Sequence, residues 1–286
     1  SYEINQGDAV GLIGMNGAGK STSIKLLSGI LKPTSGNIEV LGMQPYKKRK
    51  KLCYEYGVMF GQRSQLWWDL PAIDSFYIQG SIYGLSRRTI KTRIIEYSDM
   101  INLDYLKIPV RQLSLGQKMS CDILLAMIHR PKLLFLDEAT IALDVFNRKS
   151  ILQMIKNINQ KMGVTVIITS HLLNDIEDVC NRVLLLNYGE LYFDGFLKEF
   201  LNTSEFKKKI VIDFKDFESA IMLKDVIGSY EGLKIVSEGK RLIVFCRNED
   251  ILIQDLIQHL IAHYSNLEFS IQNISLEERM LSLGEK

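Results

Sequence analysis

The sequence predicts an α/β chain: a mostly parallel sheet with a helical insertion, followed by a smaller α+β unit. Three observations carry this. Short apolar runs such as AVGLIG, KLLFLDE, VTVIITS and RVLLLN alternate with stretches of helical spacing, as in strand–helix–strand units. Between YGVMFGQ and KLLFLDE the spacing is helical instead, which places an inserted helical piece there. From about residue 205 the order becomes β-α-β-β-α-β, the arrangement of a small ferredoxin-like unit.

The elements follow in order. Tyr2–Asn5 reads as a half-buried strand without its partner, and a chain that starts at Ser1 so close to its first motif is expected to be truncated at the N-terminus. AVGLIG (9–14) is a buried strand and SIKLLSGIL a helix; PTSG (33–36) is a turn and NIEVLG (37–42) a strand. KKRKK (47–51) reads as a solvated helix face ahead of the strand YGVMFGQ, because nothing else in the chain leans basic. Helical spacing runs from Ile73 to about Leu103, Pro109 breaks it, and a helix at about 116–129 leads into KLLFLDE. Helix 147–162, strand VTVIITS, helix 172–179 and strand RVLLLN complete the first part. KKIVIDF, LKIVSEG, RLIVFCR and LEFSIQN are the strands of the last part, with FESAIMLKDVIGS and EDILIQDLIQHLIAHY as its helices. The expected domains are 1–204, with a helical subdomain at about 63–125, and 205–286.

Composition narrows the class. At 286 residues and 47% hydrophobic the chain can bury a sizeable core and is expected to fold as two domains; a net charge of +2 argues neither for a nucleic-acid footprint nor for an acidic target, and no nucleic-acid partner is expected. No apolar run approaches the roughly 18–20 residues of a membrane helix. Cys53, Cys121, Cys180 and Cys246 are widely spaced and read as reduced, mostly buried thiols of a cytosolic protein. His259 and His263 sit four apart on the last helix, but HLIAH lacks the glutamate of a zinc motif, so they read as solvent-facing.

The chemistry begins at GMNGAGKST. Gly14, Met15, Asn16, Gly17, Ala18, Gly19, Lys20, Ser21 and Thr22 fit G-x-x-x-x-G-K-[S/T] between a strand and a helix. Glycines let backbone N–H groups curl around phosphate oxygens, and the helix adds its partial positive end. Lys20 supplies a charge toward the β- and γ-phosphates and Ser21 a hydroxyl for Mg²⁺, so the chain is expected to bind a nucleoside triphosphate. LLFLDE ends a strand in two acids: Asp137 is placed for the metal shell and Glu138 to orient or deprotonate an attacking water. LSLGQ opens a helix, where Ser114, Gly116 and nearby N–H groups form an anion-binding end without a lysine. VTVIITS delivers His171, whose imidazole can donate to a γ-phosphate.

Taken together and in this order, GMNGAGKST, Gln62 in VMFGQRSQL, LSLGQ, LLFLDEAT, ALD (142–144) and His171 resemble the ATP-binding subunits of ATP-binding-cassette (ABC) transporters over residues 1 to about 200. The resemblance implies the P-loop ABC ATPase fold, ATP and Mg²⁺ as ligands, and two subunits that close head to tail around the nucleotides. It implies that Glu138 is the catalytic base, that Gln62 reaches the metal and water, and that His171 supports the γ-phosphate. Ser21, Gln62 and Asp137 would hold Mg²⁺. Ser114, Leu115, Gly116 and Gln117 would act in trans on the partner's nucleotide, and Asp144 would couple the two sites. Leu115 and Ala139 stand where the family usually has glycine and proline, and the family's adenine-stacking aromatic falls upstream of Ser1.

Such a subunit works through a separate transmembrane permease, from the cytoplasmic face of the membrane. QLWWDLPAIDSFY (65–77) is the segment expected to touch the permease, with Trp67 and Trp68 as anchors; packing of both rings onto the helical insertion is the other reading. FGQRSQLWWDLP with LSLGQ looks most like an ABC-2-type exporter. An amino-acid importer ATPase with a ligand-sensing C-terminal domain is the alternative, and a non-transport ABC ATPase a more distant one. The unit at 205–286 shows no catalytic cluster, so an accessory or regulatory role is expected.

Overall fold

The computed structural model describes residues 1–61, 63–170 and 172–203, and beyond them 206, 208–214, 217–227, 233–246, 250–263, 268–274 and 278. It divides into two compact units, Ser1–Lys198 and Glu199–Lys286.

In the first unit, strands β1 (Ala9–Gly14), β2 (Tyr56–Phe60), β3 (Leu133–Asp137), β4 (Thr165–Thr169), β5 (Arg182–Asn187) and β6 (Glu190–Phe196) form one sheet in the order β2-β3-β4-β1-β5-β6. The pairs from β2 to β5 are parallel, and β5 turns back into antiparallel β6. β1, β3 and β4 are buried at every position, which is why they read as unbroken apolar runs. In register, Phe60 lies beside Asp137 and Asp137 beside Thr169, while Leu12 lies beside Thr169 on the other side. The strands therefore end together, and their carboxyl ends form one rim.

The helices are α1 (Lys20–Leu27), α2 (Arg49–Leu52), α3 (Ala72–Ile82), α4 (Arg87–Glu96), α5 (Leu115–Ala126), α6 (Val145–Met162), α7 (Leu173–Val179) and α8 (Leu197–Thr203). α3, α4 and α5 make up the helical insertion, joined by 3-10 turns at Tyr97–Asp99, Leu103–Lys107 and Val110–Gln112. α6 has both ends written in its sequence, with Asp144 capping its start and Gly163 (φ 69°) closing it in the left-handed region. The core packs Val10, Leu12 and Ile24 with Leu52, Tyr56, Phe135 and Ile167. Each fully buried side chain of this size contributes about 1.5–3 kcal/mol.

In the second unit, β7 (Lys208–Asp213), α9 (Phe217–Ile227), β8 (Leu233–Glu238), β9 (Arg241–Cys246), α10 (Asp250–His263) and β10 (Glu268–Asn273) follow the expected β-α-β-β-α-β order. Their antiparallel sheet runs β10-β7-β9-β8. Ile210, Ile212, Leu242 and Val244 form its core with Leu223, Leu256 and Leu260 of the two helices. The side chains of His259 and His263 lie outside the described residues.

Three expectations change. Tyr2–Asn5 and Asn37–Gly42 have strand-like patterns, but neither joins a ladder; Val40 makes only an isolated bridge to Met43. Tyr2, Ile4, Ile38 and Val40 instead line a cavity of about 680 Å³, so these segments contribute apolar side chains without joining the sheet. β6 is a strand that the sequence reading does not contain: it is exposed or half-buried throughout and has no apolar run. The basic segment 47–51 is exposed, as expected, and its helix is only four residues long. Cys53, Cys121, Cys180 and Cys246 are free thiols, and all but the half-buried Cys53 are buried.

Candidate active site

The carboxyl rim of the sheet collects the motif residues. Gly14 ends β1 where a side chain would not fit, since a Cβ would lie 2.4 Å from the Leu186 carbonyl oxygen. Met15, Asn16 and Gly17 are exposed, and Gly17 (φ 80°) and Gly19 (φ 103°) take the left-handed conformation that glycine adopts without strain. α1 starts directly at Lys20, so the orphan N–H groups of its first turn open onto this loop. The turn after β5 braces it, with the Gly189 N–H donating to the Ala18 carbonyl at 3.1 Å. Sequence reading misses this brace because Tyr188–Gly189 looks like any tight turn.

Lys20 is buried and donates to the loop carbonyls of Gly14 (2.7 Å) and Met15 (3.1 Å). Burial lowers its pKa, and the negative charges of Glu138 and Asp137 oppose that shift. Ser21 Oγ donates to Asp137 Oδ1 at 3.1 Å, and Thr169 Oγ1 donates to the same oxygen at 2.7 Å. Thr169 in turn accepts the Glu138 N–H at 2.9 Å, and the Asp137 carbonyl accepts the Gly61 N–H at 2.8 Å. Glu138 is half-buried with φ 54°, a conformation uncommon for a side-chain-bearing residue and one that cap and turn contacts must hold.

This is an all-oxygen set with one carboxylate and one hydroxyl beside a phosphate-sized loop. It fits a hard divalent cation that takes its other ligands from phosphate and water. Among the described residues no group of three His, Cys, Asp or Glu could hold a metal. Gln62 and His171 lie outside the described residues.

Ser114 caps α5: its oxygen accepts the Gln117 N–H at 3.2 Å, while Gln117 Oε1 accepts the Ser114 N–H at 2.9 Å. Ser114 and Leu115 are exposed and Gly116 is buried. A Cβ on Gly116 would meet Asn147 Oδ1 of α6 at 2.5 Å, so this glycine is required by packing within the chain. Asn147 also bonds Asp144, whose carboxylate accepts the N–H groups of Phe146 and Asn147 at 3.0 Å each. The Asn147 N–H is the main cause that holds the Asp144 carboxyl below its usual pKa. LSLGQ and ALD, far apart in sequence, are thus in contact.

A buried hub behind the rim is missed by sequence reading altogether. Asp175 of α7 is fully buried and accepts the hydroxyls of Thr140 and Ser170, the latter at 3.1 Å. Its other oxygen faces Arg148 Nε at 3.5 Å, an ion pair by distance that makes no hydrogen bond. One carboxylate therefore ties the loop after Glu138, the helix capped by Asp144 and the residue before His171.

Comparison with known proteins agrees with this layout. The family model described as "ABC transporter" matches residues 1–141. The linearmycin resistance ATP-binding protein LnrL of Bacillus subtilis is 29% identical over 288 residues, which span 99% of this chain and 91% of LnrL. The methionine import ATP-binding protein MetN 2 of Enterococcus faecalis is 30% identical over 278 residues, covering 94% of this chain and 78% of MetN 2. Among solved structures, the dimeric structure of MJ0796, a bacterial ABC transporter cassette, matches with a TM-score of 0.60 and 25% identity over 68% of this chain and 88% of that one. The chain belongs to the ATP-binding proteins of ABC transporters and is an ATP hydrolase of that family.

Proposed function

We propose that two copies of this subunit, or one copy and a related subunit, close head to tail and drive export through a separate membrane subunit. The observation that carries the closure is the exposed apolar ground around the Gly116–Asn147 contact. Leu115, Val145 and Phe146 are exposed there, Phe146 at 87%, beside an exposed helix start with no basic residue in its motif. Exposed apolar residues grouped this way suit an interface. In this reading Lys20 and Ser21 hold ATP·Mg²⁺ with Asp137, and Ser114 donates to the partner's γ-phosphate. Gln62 reaches the metal and water, Glu138 accepts the water's proton, His171 donates to the γ-phosphate, and Asp144 couples the two sites. When bound, the cation neutralises charge on the phosphates. The chain's part is positioning and electrostatics: donors fixed before reaction, with Ser114 supplied only on closure, so that hydrolysis waits for pairing.

The membrane subunit is a separate chain in this reading, and the subunit sits at the cytoplasmic face of the membrane. Among the described residues no helix is long and apolar enough to cross one. Trp67 and Trp68 are 56% and 57% exposed, which favours anchoring of a partner over packing onto the insertion.

Export is favoured by the extent of the LnrL match, which spans nearly all of both chains. Import has one specific observation in its favour, the MetN 2 match, which also runs through the C-terminal unit of this chain. Calorimetric titration of the full chain with the twenty amino acids separates them. The export reading expects no saturable binding; saturable binding of one amino acid that survives loss of ATP binding in Lys20→Ala overturns it in favour of import.

A further inference from the structure

We propose that Asp122 is a positioning residue that fastens the Trp67–Trp68 face to the helix bearing LSLGQ, so that face and signature turn as one piece. Asp122 lies on α5, eight residues after Ser114, in a buried run otherwise made of Cys121, Ile123, Leu124, Leu125 and Ala126. It is only 5% exposed. A carboxylate in such surroundings persists only when hydrogen bonds replace its water. Gln65 donates its N–H to Oδ1 at 2.8 Å. The Leu66 N–H donates to Ser64 Oγ at 3.1 Å, and this Ser64–Leu66 turn beside the carboxyl favours its ionised form. Burial pushes the group up to about 6, and these donors pull in the opposite direction.

The chain leaves the sheet just before this clamp. The Gly61 N–H is still tied to the Asp137 carbonyl and the Arg63 N–H to Phe60 of β2, and from Trp67 on the bonds turn to the helical insertion. Trp67 donates its N–H to Ser75 Oγ of α3 at 2.9 Å, and the Trp68 carbonyl accepts the Arg111 N–H at 3.0 Å. The Leu70 carbonyl accepts the Val110 N–H at 3.0 Å. Lys118, one helical turn before Asp122, sets its ammonium 4.5 Å from the Trp68 ring centroid. A side-chain tether also runs back to the sheet, Gln65 Nε2 donating to the Val58 carbonyl at 2.7 Å. Both indoles thus stand exposed on a segment held from the α5 side. A partner pressed against them would feel any rotation of Ser114, and closure at Ser114 would move whatever is docked on the indoles. Asp122 contributes the bond that joins this segment to α5 itself, and rigid elements with fixed mutual bonds are what carry such coupling.

The inference rests on the proposed closure at Ser114, and the chain supplies its own probe: Trp67 and Trp68 are its two tryptophans. The experiment compares the 286-residue chain with its Asp122→Asn and Asp122→Ala variants in one fluorimeter with ATP·Mg²⁺ titrated in, while turnover is measured over a range of protein concentrations. Wild type shifts its indole emission when nucleotide-driven closure occurs. Asp122→Ala loses that shift and becomes more open to acrylamide quenching, at unchanged KM for ATP. Asp122→Asn, which keeps its volume and an acceptor oxygen, retains part of the shift. An undiminished shift in Asp122→Ala overturns the clamp. Turnover that rises with concentration while the wild-type indoles stay silent overturns the clamp alone. Turnover independent of concentration overturns the closure on which the clamp depends.

Discussion

At the residue scale, the site rests on a few charges kept where water is scarce. The sequence makes part of this plain. Lys20, Ser21, Asp137 and Glu138 are legible because a loop motif and a strand end fix where each side chain must lie, and the Ser21–Asp137 bond unites them. Asp122 is not legible as a clamp, because its donor, the Gln65 N–H, lies 57 positions away in the chain. The only trace in the sequence is an acid within an apolar helical run. Its raised pKa gives a prediction with a definite sign. The fold holds a proton on Asp122 up to about pH 6, whereas the unfolded chain releases it near 4. The stability this contributes is fully present below that window and is lost as pH rises through it. Urea melts should therefore show the stability of wild type relative to Asp122→Asn falling by about 1 kcal/mol between about pH 5 and pH 7. A difference that stays flat or grows with pH contradicts the assignment.

At the element scale, strands buried on both faces announced themselves, and partly exposed ones did not. β1, β3 and β4 are continuous apolar runs; β6 alternates Leu191, Phe193 and Gly195 with exposed residues and depends on β5 for its ladder. Tyr2–Asn5 and Asn37–Gly42 err the other way. They have the alternation of strands, but a strand exists only where a neighbour accepts its hydrogen bonds, and periodicity cannot report that. Helix starts were clearer, since Ser114 with Gln117 and Asp144 with its two N–H donors are caps written in four residues. What holds these elements together is less visible, and Asp175 is the instance. Replacing it with alanine leaves the buried Thr140 and Ser170 hydroxyls without an acceptor and Arg148 without its counter-charge. Asp175→Ala should cost about 2–4 kcal/mol in denaturant unfolding, and Asp175→Asn, which keeps an acceptor, clearly less. Equal losses in both variants would assign the cost to packing rather than to this hub.

At the scale of the whole molecule, the order of the motifs gave the architecture of the first unit, and the β-α-β-β-α-β order gave the sheet of the second. Neither order says what the assembly looks like. The proposed assembly rests on chemistry: one rim carries the phosphate loop with Ser21 and Asp137, while the start of α5 stands exposed with apolar side chains around it. In the proposed reading a second copy or a related subunit completes a site divided this way. The direct test is specific ATPase activity measured while the subunit is diluted at saturating ATP·Mg²⁺. Divided sites predict that activity per subunit falls toward zero on dilution and is restored by concentration, with a steepness that reports two subunits. Activity per subunit that stays constant down to concentrations where light scattering finds only monomers would contradict the account.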